Sequence, residues 1–290
     1  MSTKANYTNY LKVKDHSVSG ESFDLVQHSE QDLLETRPQP SEEKLSQYYN
    51  SDDYISHTDT KRNWFEKLYH LVRSVALKRK LNLISAFASE EKKLLDFGCG
   101  TGDFLKVAQE HGWDVSGIEP SSKARAIANQ KTNETVFDKD QLFQFKKGQF
   151  DVITLWHVLE HLPNLELHLN TFEALLKPNG TLIIAVPNYK SYDALHYKEF
   201  WAAYDVPRHL WHFSQEGMSR ILKLAKMEVV DVKPMVFDAF YVSLLSEKYK
   251  SNSMKPFSAF WTGWRSNIKA RQSGEYSSLI YVIERSKTTI

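Results

Sequence analysis

The sequence predicts an α/β protein built on a doubly wound, seven-stranded sheet, mostly parallel with its last strand antiparallel. Three observations carry this. Short apolar strand segments alternate with helical patterns between residues 93 and 187, which implies parallel strands with helices on both faces. A glycine cluster, Gly98-Cys99-Gly100-Thr101-Gly102, follows the first of these strands and opens a helix. The second strand ends in a carboxylate, Glu119, 23 residues after Asp96.

Residues 1–60 read as a polar, turn-rich extension, with Arg37-Pro38-Gln39-Pro40 as extended chain. Residues 61–290 read as the main domain, with a ligand-binding core at about 90–187 and lid elements at about 188–275. From Trp64 to Ala88 the pattern is helical, with Leu68, Leu71, Val72 and Val75 on one face. Lys78-Arg79-Lys80 reads there as a solvated face. Strands follow at Lys93–Phe97, Trp113–Glu119, Glu134–Phe137, Phe150–Leu155 and Thr181–Val186. Helices are expected at Leu105–His111, Ser121–Lys131 and Leu165–Leu176, the last stopped by Lys177-Pro178-Asn179-Gly180. Beyond Pro187 the expectation is aromatic-rich helices at Tyr192–Trp201 and Phe237–Lys250 and strands at Glu228–Val232 and Leu279–Glu284.

Composition narrows the function. The chain has 290 residues, 37 Lys+Arg against 36 Asp+Glu, and 25% charged residues, which is ordinary for a globular protein. A net charge of +1 gives no bulk attraction for nucleic acid. One cysteine, Cys99, excludes an intramolecular disulfide and a multi-cysteine metal cage. The longest aliphatic run, Leu182–Val186, is far too short to span a bilayer, and Met1–Asp15 lacks a signal-peptide pattern. The expectation is a cytoplasmic protein without integral membrane association.

The glycine loop fixes a ligand class. Dinucleotide folds use G-x-G-x-x-G, with the pyrophosphate at the helix N-terminus. Here the spacing is G-x-G-x-G, and Asp103 stands where the third dinucleotide glycine would be. A carboxylate there repels a pyrophosphate but complements the helix dipole. Asp96 is placed to accept from a ligand amine and Glu119 to bind a ribose diol. An amine, a ribose and no phosphate describe S-adenosylmethionine.

These residues resemble the class I S-adenosylmethionine-dependent methyltransferases, which have a Rossmann-like sheet. Phe150-Asp151-Val152-Ile153-Thr154-Leu155-Trp156-His157-Val158-Leu159-Glu160-His161 is similar to the fourth-strand motif of the subgroup containing the quinone-biosynthesis O-methyltransferases. Leu176-Lys177-Pro178-Asn179-Gly180-Thr181-Leu182 resembles the same family's fifth-strand entry. The resemblance covers roughly Leu94 to Pro187. It implies a cofactor site of Asp96, Gly98, Cys99, Gly100, Gly102, Glu119, Pro120, Phe137, Asp138, Trp156 and His157. Asp96, Gly98 and Gly100 would lie along the methionine part, Glu119 on the ribose, and Pro120 and Phe137-Asp138 beside the adenine. Asp138 would take the adenine amino group; its alternative is a plain loop acid. Trp156 and His157 would border the methionine end. Cys99 reads as loop packing rather than a nucleophile.

Segment Asp15–Val26 resembles an N-terminal extension of relatives that carry a zinc ribbon. Here His28 and Gln31 stand where those relatives have thiols, and His16 and His28 alone do not make a four-ligand site. The segment reads as a degenerate ribbon, a metal-free cap, or a partly ordered arm, and the expectation is no structural zinc. Tyr48, Tyr49 and Tyr54 match the family's pre-helix pattern and are expected either to cover the cofactor or to pack elsewhere. Arg73 is a candidate partner for the cofactor carboxylate, with a structural role as the alternative.

Methyl transfer is an in-line displacement that gains much from proximity. Where a base is needed, histidine is the residue type to inspect, and His157, His161 and His209 are the candidates. The resemblance allows a divalent metal at Glu160 and His161, but two side chains are too few, and the reading adopted is no metal. The aromatics Tyr192, Tyr197, Phe200, Trp201, Tyr204, Trp211, Phe213, Phe237, Phe240 and Tyr241 suggest a lid over a hydrophobic or aromatic small-molecule acceptor; a second small core is the alternative. Seating on a membrane is ranked lower, because Phe237–Lys250 shows no basic face. Methylation of a protein or nucleic acid, a cofactor-binding module without catalysis, and a nicotinamide oxidoreductase remain the competing readings.

Overall fold

The computed structural model describes residues 7–41, 44, 46–49 and 64–286. The main sheet has seven strands in the order β10-β11-β8-β7-β4-β5-β6. These are β4 (Lys93–Phe97), β5 (Asp114–Ile118), β6 (Val136–Phe137), β7 (Phe150–Trp156), β8 (Leu176–Pro187), β10 (Met227–Pro234) and β11 (Ser278–Arg285). β4 to β8 pair in parallel, and β11 runs antiparallel between β8 and β10. Six of the seven residues of β7 are buried, as expected of a central strand covered on both faces. The chain leaves β4 toward β5 and later returns on its other side as β7. The crevice at the carboxyl ends of β4 and β7 is therefore the topological switch point where such sheets bind ligands.

The helices flanking this sheet are α1 (Trp64–Ser85), α2 (Asp103–Glu110), α3 (Ser122–Thr132) and α4 (Leu165–Leu175). α2 buries Phe104, Leu105 and Ala108 and places Asp103 in its first turn. α3 is N-capped by Ser121 and closed by Asn133 in the left-handed region. No loop follows α4: Leu176 already pairs with Phe150, and the Lys-Pro-Asn-Gly turn is a bulge inside β8 before Thr181 pairs with Val152.

After β8 come α5 (Tyr192–Tyr197), the short strand β9 (Trp211–His212), α6 (Gln215–Leu224), α7 (Asp238–Ser251) and α8 (Pro256–Ser273). α6 and α8 were not expected from the sequence, and the helix expected to run to Trp201 stops at Tyr197, where Lys198 takes a positive φ. The N-terminal architecture was not expected either. β1 (Tyr7–Lys14), β2 (Ser22–His28) and β3 (Leu33–Arg37) form an antiparallel sheet that β9 completes, Leu34 opposite His212.

That small sheet covers a second core. Val13, Phe23, Leu25 and Leu34 pack with Tyr189, Tyr197, Trp201, Tyr204, Val206 and Val242. The expectation that the aromatics after β8 line an acceptor pocket is thereby corrected for Tyr197, Trp201 and Tyr204, which fill this core. Phe213 is buried in the main core instead. Asp32 ties the layers together, accepting from Tyr189, Lys190 and Ser214. Among the described residues, no helix is long and apolar enough to cross a membrane.

Candidate active site

The site begins where β4 gives way to the glycine loop. Gly98, Gly100 and Gly102 all have positive φ, so each turn is suited to a residue without a Cβ. Two of them are also packed shut. A Cβ on Gly98 would lie 2.4 Å from Val158 Cγ2, and one on Gly102 would lie 2.8 Å from the Ala128 Cβ. Gly100 differs, since a Cβ there would meet nothing within 4 Å. Its open side is a cradle that a ligand can approach. Cys99 is half-buried and donates its backbone N–H to the Ile118 carbonyl. Burial pushes its thiol up, away from the thiolate a nucleophile needs.

Two buried carboxylates flank the loop. Asp96 is 2% exposed and accepts 2.6 Å from Thr154 Oγ1 across the β4–β7 pair. Burial raises its pKa to about 6, against the opposing pull of Thr154 and the charge of Lys80. Glu119 is 5% exposed. Its Oε2 accepts from Gly100 N and its Oε1 from Ser121 N, both at 2.9 Å. Burial also raises the Glu119 pKa, with these backbone bonds opposing. Each oxygen keeps a second lone pair, so the carboxylate is oriented and still able to accept from a diol.

Beyond Glu119 the adenine-side residues are more open. Pro120 and Phe137 are exposed, and Phe137 meets Phe145 edge-on. Asp138 caps the turn Lys139–Gln144 and pairs with Arg125 at 2.8 Å. Asp103 and Arg73 turn out to be partners of each other. The Asp103 carboxylate binds Arg73, Lys131 at 2.9 Å and Thr101. Burial alone would raise its pKa, but these groups outweigh burial and hold it low. Arg73 is thus on Asp103. With two cations satisfying Asp103, its charge does not by itself turn a pyrophosphate away from the loop.

A residue missed from the sequence is Lys80. Its Nζ lies 4.2 Å over the Trp156 ring, and desolvation lowers its pKa to about 8 while Asp96 and Asp238 pull it back up. The run Lys78-Arg79-Lys80 is therefore not simply a solvated face. Lys80 lies three residues after Leu77 and four before the buried Ile84, on the inner face. Trp156 also packs edge-on against Phe104, and its Nε1 is buried with no hydrogen-bond partner among the described residues.

His157 follows Trp156 in the left-handed region, φ 57°. Its Nε2 lies 3.2 Å from Asp238 Oδ2 and its Nδ1 3.5 Å from Glu160 Oε1. The second distance is an ion-pair separation, too long for a good hydrogen bond. Burial opposes the charged ring, but the two carboxylates outweigh it and raise the pKa to about 10. At neutral pH this imidazole is a cation and not a free base. His161 Nδ1 faces the Arg208 carbonyl at 3.0 Å. His209 is buried, with Nδ1 on the Ala203 carbonyl at 2.9 Å, and burial holds it neutral. The rings of His161 and His209 meet edge to face at 4.5 Å.

Glu160, His161 and His209 each offer a ligand atom within 4.8 Å of the others, the one group of three among the described residues that can hold a metal ion. The sequence showed only Glu160 and His161. His209 arrives through the fold, as Leu210 N donates to the Glu160 carbonyl. His16 and His28 do not join a site. Tyr7 pairs with His28 at one end of the β1–β2 hairpin, while His16 lies in the turn at the other. His16 stacks on Tyr249. Tyr48 binds Glu21 and meets Phe23 on the N-terminal sheet. The side chain of Tyr49, and Tyr54, lie outside the described residues.

The orphaned Trp156 N–H, the open Gly100 cradle and the two buried carboxylates fit an aminoacyl nucleoside. Comparison with known proteins agrees. A model of the methyltransferase domain matches residues 69–232, more than half of the chain. The ubiquinone biosynthesis O-methyltransferase of Azoarcus sp. is 28% identical over 161 residues, covering 51% of this chain and 69% of that one. Its counterpart in Coxiella burnetii is 28% identical over 166 residues, covering 53% and 68%. Among solved structures, magnesium protoporphyrin IX methyltransferase from Synechocystis, with bound S-adenosylhomocysteine, superposes with a TM-score of 0.54 at 17% identity, covering 82% of this chain and 97% of that one. That likeness bears on the fold alone. The glycine loop, its two carboxylates and the matched domain together place the chain in the methyltransferase domain family, as an S-adenosylmethionine-dependent methyltransferase.

Proposed function

We propose that the acceptor is a hydrophobic or aromatic small molecule methylated on oxygen. The observation that carries this reading is the rim beside His157. Phe237 and Tyr241, four residues apart on one face of the start of α7, stay exposed next to Asp238, the residue that holds the imidazole. An apolar ring can rest on these side chains while its hydroxyl faces the charged His157. The names of the similar relatives, ubiquinone biosynthesis O-methyltransferases, support an oxygen acceptor of this kind.

In this reading Asp96 takes the cofactor ammonium, Glu119 the ribose hydroxyls, and Asp138 and Phe137 the adenine edge. Bound there, the cofactor would supply an electrophilic methyl group to the acceptor oxygen and leave as a neutral thioether, with the acceptor giving up its proton. His157, already protonated, orients the acceptor oxygen. Of the neighbouring residues His161 takes the proton: with Nδ1 on the Arg208 carbonyl, its Nε2 is the accepting nitrogen.

The test is transfer from methyl-labelled S-adenosylmethionine to a panel of catechols and hydroquinones with apolar tails, beside peptides and RNA. The expected result is labelled methyl ether in the organic phase. Label entering only peptide or RNA would overturn the reading.

A further inference from the structure

Helix α8 has an unusual outer face. Phe257 is 90% exposed, and Phe260, Trp261, Trp264 and Ile268 are between 40 and 60% exposed. Their spacing puts them on one stripe, opposite the face that buries Ala259, Thr262, Gly263, Ser266 and Ala270. From Phe257 to Ile268 the stripe is about 17 Å long at 1.5 Å per residue. Contiguous exposed apolar surface of this kind marks an interaction site.

The charges along this stretch of the chain are all of one sign. Residues 248–273 contain Lys248, Lys250, Lys255, Arg265, Lys269 and Arg271 and no acidic residue. That is a local charge of +6 in a chain whose total is +1. The helix is also firmly mounted. Ser266 Oγ donates to the buried Asp193 at 2.6 Å, as do Trp201 Nε1 and Ser277 Oγ. Ser258 and Tyr197 share Glu247 of α7, and Asn267 Nδ2 donates to the Val236 carbonyl.

We propose that the outer face of α8 docks on the surface of a membrane rich in anionic phospholipid, lying in the headgroup plane. An apolar stripe flanked by basic side chains is the pattern of a helix seated at a bilayer interface. Charge selects this occupant over a second copy of the chain, since self-pairing would bring two copies of this basic helix together. Ring geometry selects it over single-stranded nucleic acid. Trp261 stacks on Trp264 at 4.8 Å and Phe240 on Phe260 at 5.3 Å, so these faces are already partly used and not free to stack bases. The hairpin partner of α8 is α7, whose first residue Asp238 holds His157. Docking would therefore bring the rim of the active site to the lipid surface, where an apolar acceptor is concentrated. Phe237–Lys250 shows no basic face; the basic side chains belong to the helix that follows.

The test uses the full chain without cofactor or acceptor, so its outcome is separate from that of the acceptor reading. Cosedimentation is measured with phosphatidylcholine vesicles and with the same vesicles containing phosphatidylglycerol. Binding to the anionic vesicles with a blue shift of tryptophan emission is expected, and weak binding to the neutral ones. Phe257→Ser with Trp261→Ser, and separately Arg265→Glu with Arg271→Glu, should each weaken it by about tenfold or more. Both pairs are exposed, and circular dichroism checks that each variant folds. No binding to either vesicle, a dimer that buries the tryptophans and ignores lipid, or retention by RNA in preference to vesicles would overturn the proposal.

Discussion

His157 Nε2 lies 3.2 Å from Asp238 Oδ2, a contact that joins the loop after β7 to the first residue of α7. It makes one imidazole the hinge pin between the cofactor half of the molecule and the aromatic helices. The pairing with Asp238 and Glu160 raises the His157 pKa from 6.5 to about 10, although burial opposes the charge. A histidine whose folded pKa is raised adds stability that is fully present below its unfolded pKa. It is lost as pH climbs from about 6.5 to about 10. Against His157→Gln in chelator-containing buffer, the wild-type melting advantage should be constant below this window and shrink across it. Asp238→Asn should flatten most of that pH dependence. A melting difference that grows with pH would contradict the assignment.

Glu119 should control cofactor affinity. Its carboxylate is oriented by Gly100 and Ser121 and keeps a lone pair on each oxygen for the ribose. Glu119→Ala removes charge-assisted bonds of about 1.5–3 kcal/mol, or about 10- to 100-fold in Kd for S-adenosylmethionine. Glu119→Gln keeps one acceptor and should fall between. Calorimetric titration reads this directly, and unchanged affinity in a folded Glu119→Ala variant would remove the residue from the site.

Asp96 predicts a pH dependence of binding. With its pKa raised to about 6 by burial, it is ionised at neutral pH and protonates as pH falls through that value. The cofactor ammonium then loses its counter-charge. Affinity for S-adenosylmethionine should weaken below pH of about 6 in the wild type and be lower and flat across the same range in Asp96→Asn. Without ligand the sign reverses. A carboxyl raised from 3.8 to about 6 costs stability as pH rises through that interval.

Gly98 should be intolerant of a side chain. Its φ is 77°, and a Cβ would meet Val158 Cγ2 at 2.4 Å. The left-handed backbone costs about 1–2 kcal/mol for a non-glycine residue, and the overlap adds to it. Gly98→Ala should destabilise by at least that amount in chemical denaturation. Adding Val158→Ala should return the part due to overlap and leave the part due to φ. Full recovery, or none, would show that the two causes are not separable in this way.

Lys80 links the helix before the sheet to the site, so Lys80→Met tests that link. Its charge pulls down the Asp96 pKa, and removing it should shift the acid limb of cofactor binding to higher pH. Binding curves for the two proteins that overlay in pH would show that Lys80 serves only to pack on Trp156.

The alternation of strands and helices from β4 to β8, the glycine loop, Asp96 and Glu119 were readable in the sequence. Each depends on short-range rules: short continuous apolar runs, a glycine where φ is positive, an acid at a strand end. The structure puts strands at Lys93–Phe97 and Phe150–Trp156 and a positive φ on every glycine of the loop. What the sequence did not show depends on contacts between distant segments. β1, β2 and β3 have weak patterns of their own, and only pairing with β9 and packing on Trp201 and Tyr204 gives them a buried face. That packing also explains why aromatics that read as a pocket lining became a core. α8 escaped notice because its pattern is inverted: small residues, Ala259, Thr262, Gly263, Ser266 and Ala270, are buried and the large apolar ones face outward, so its apolar stripe does not mark the core side. His209 reaches Glu160 from 49 residues away, and Asp238 reaches His157 from 81. Local propensity cannot encode such meetings; the closing of the sheet and the docking of α7 bring them about.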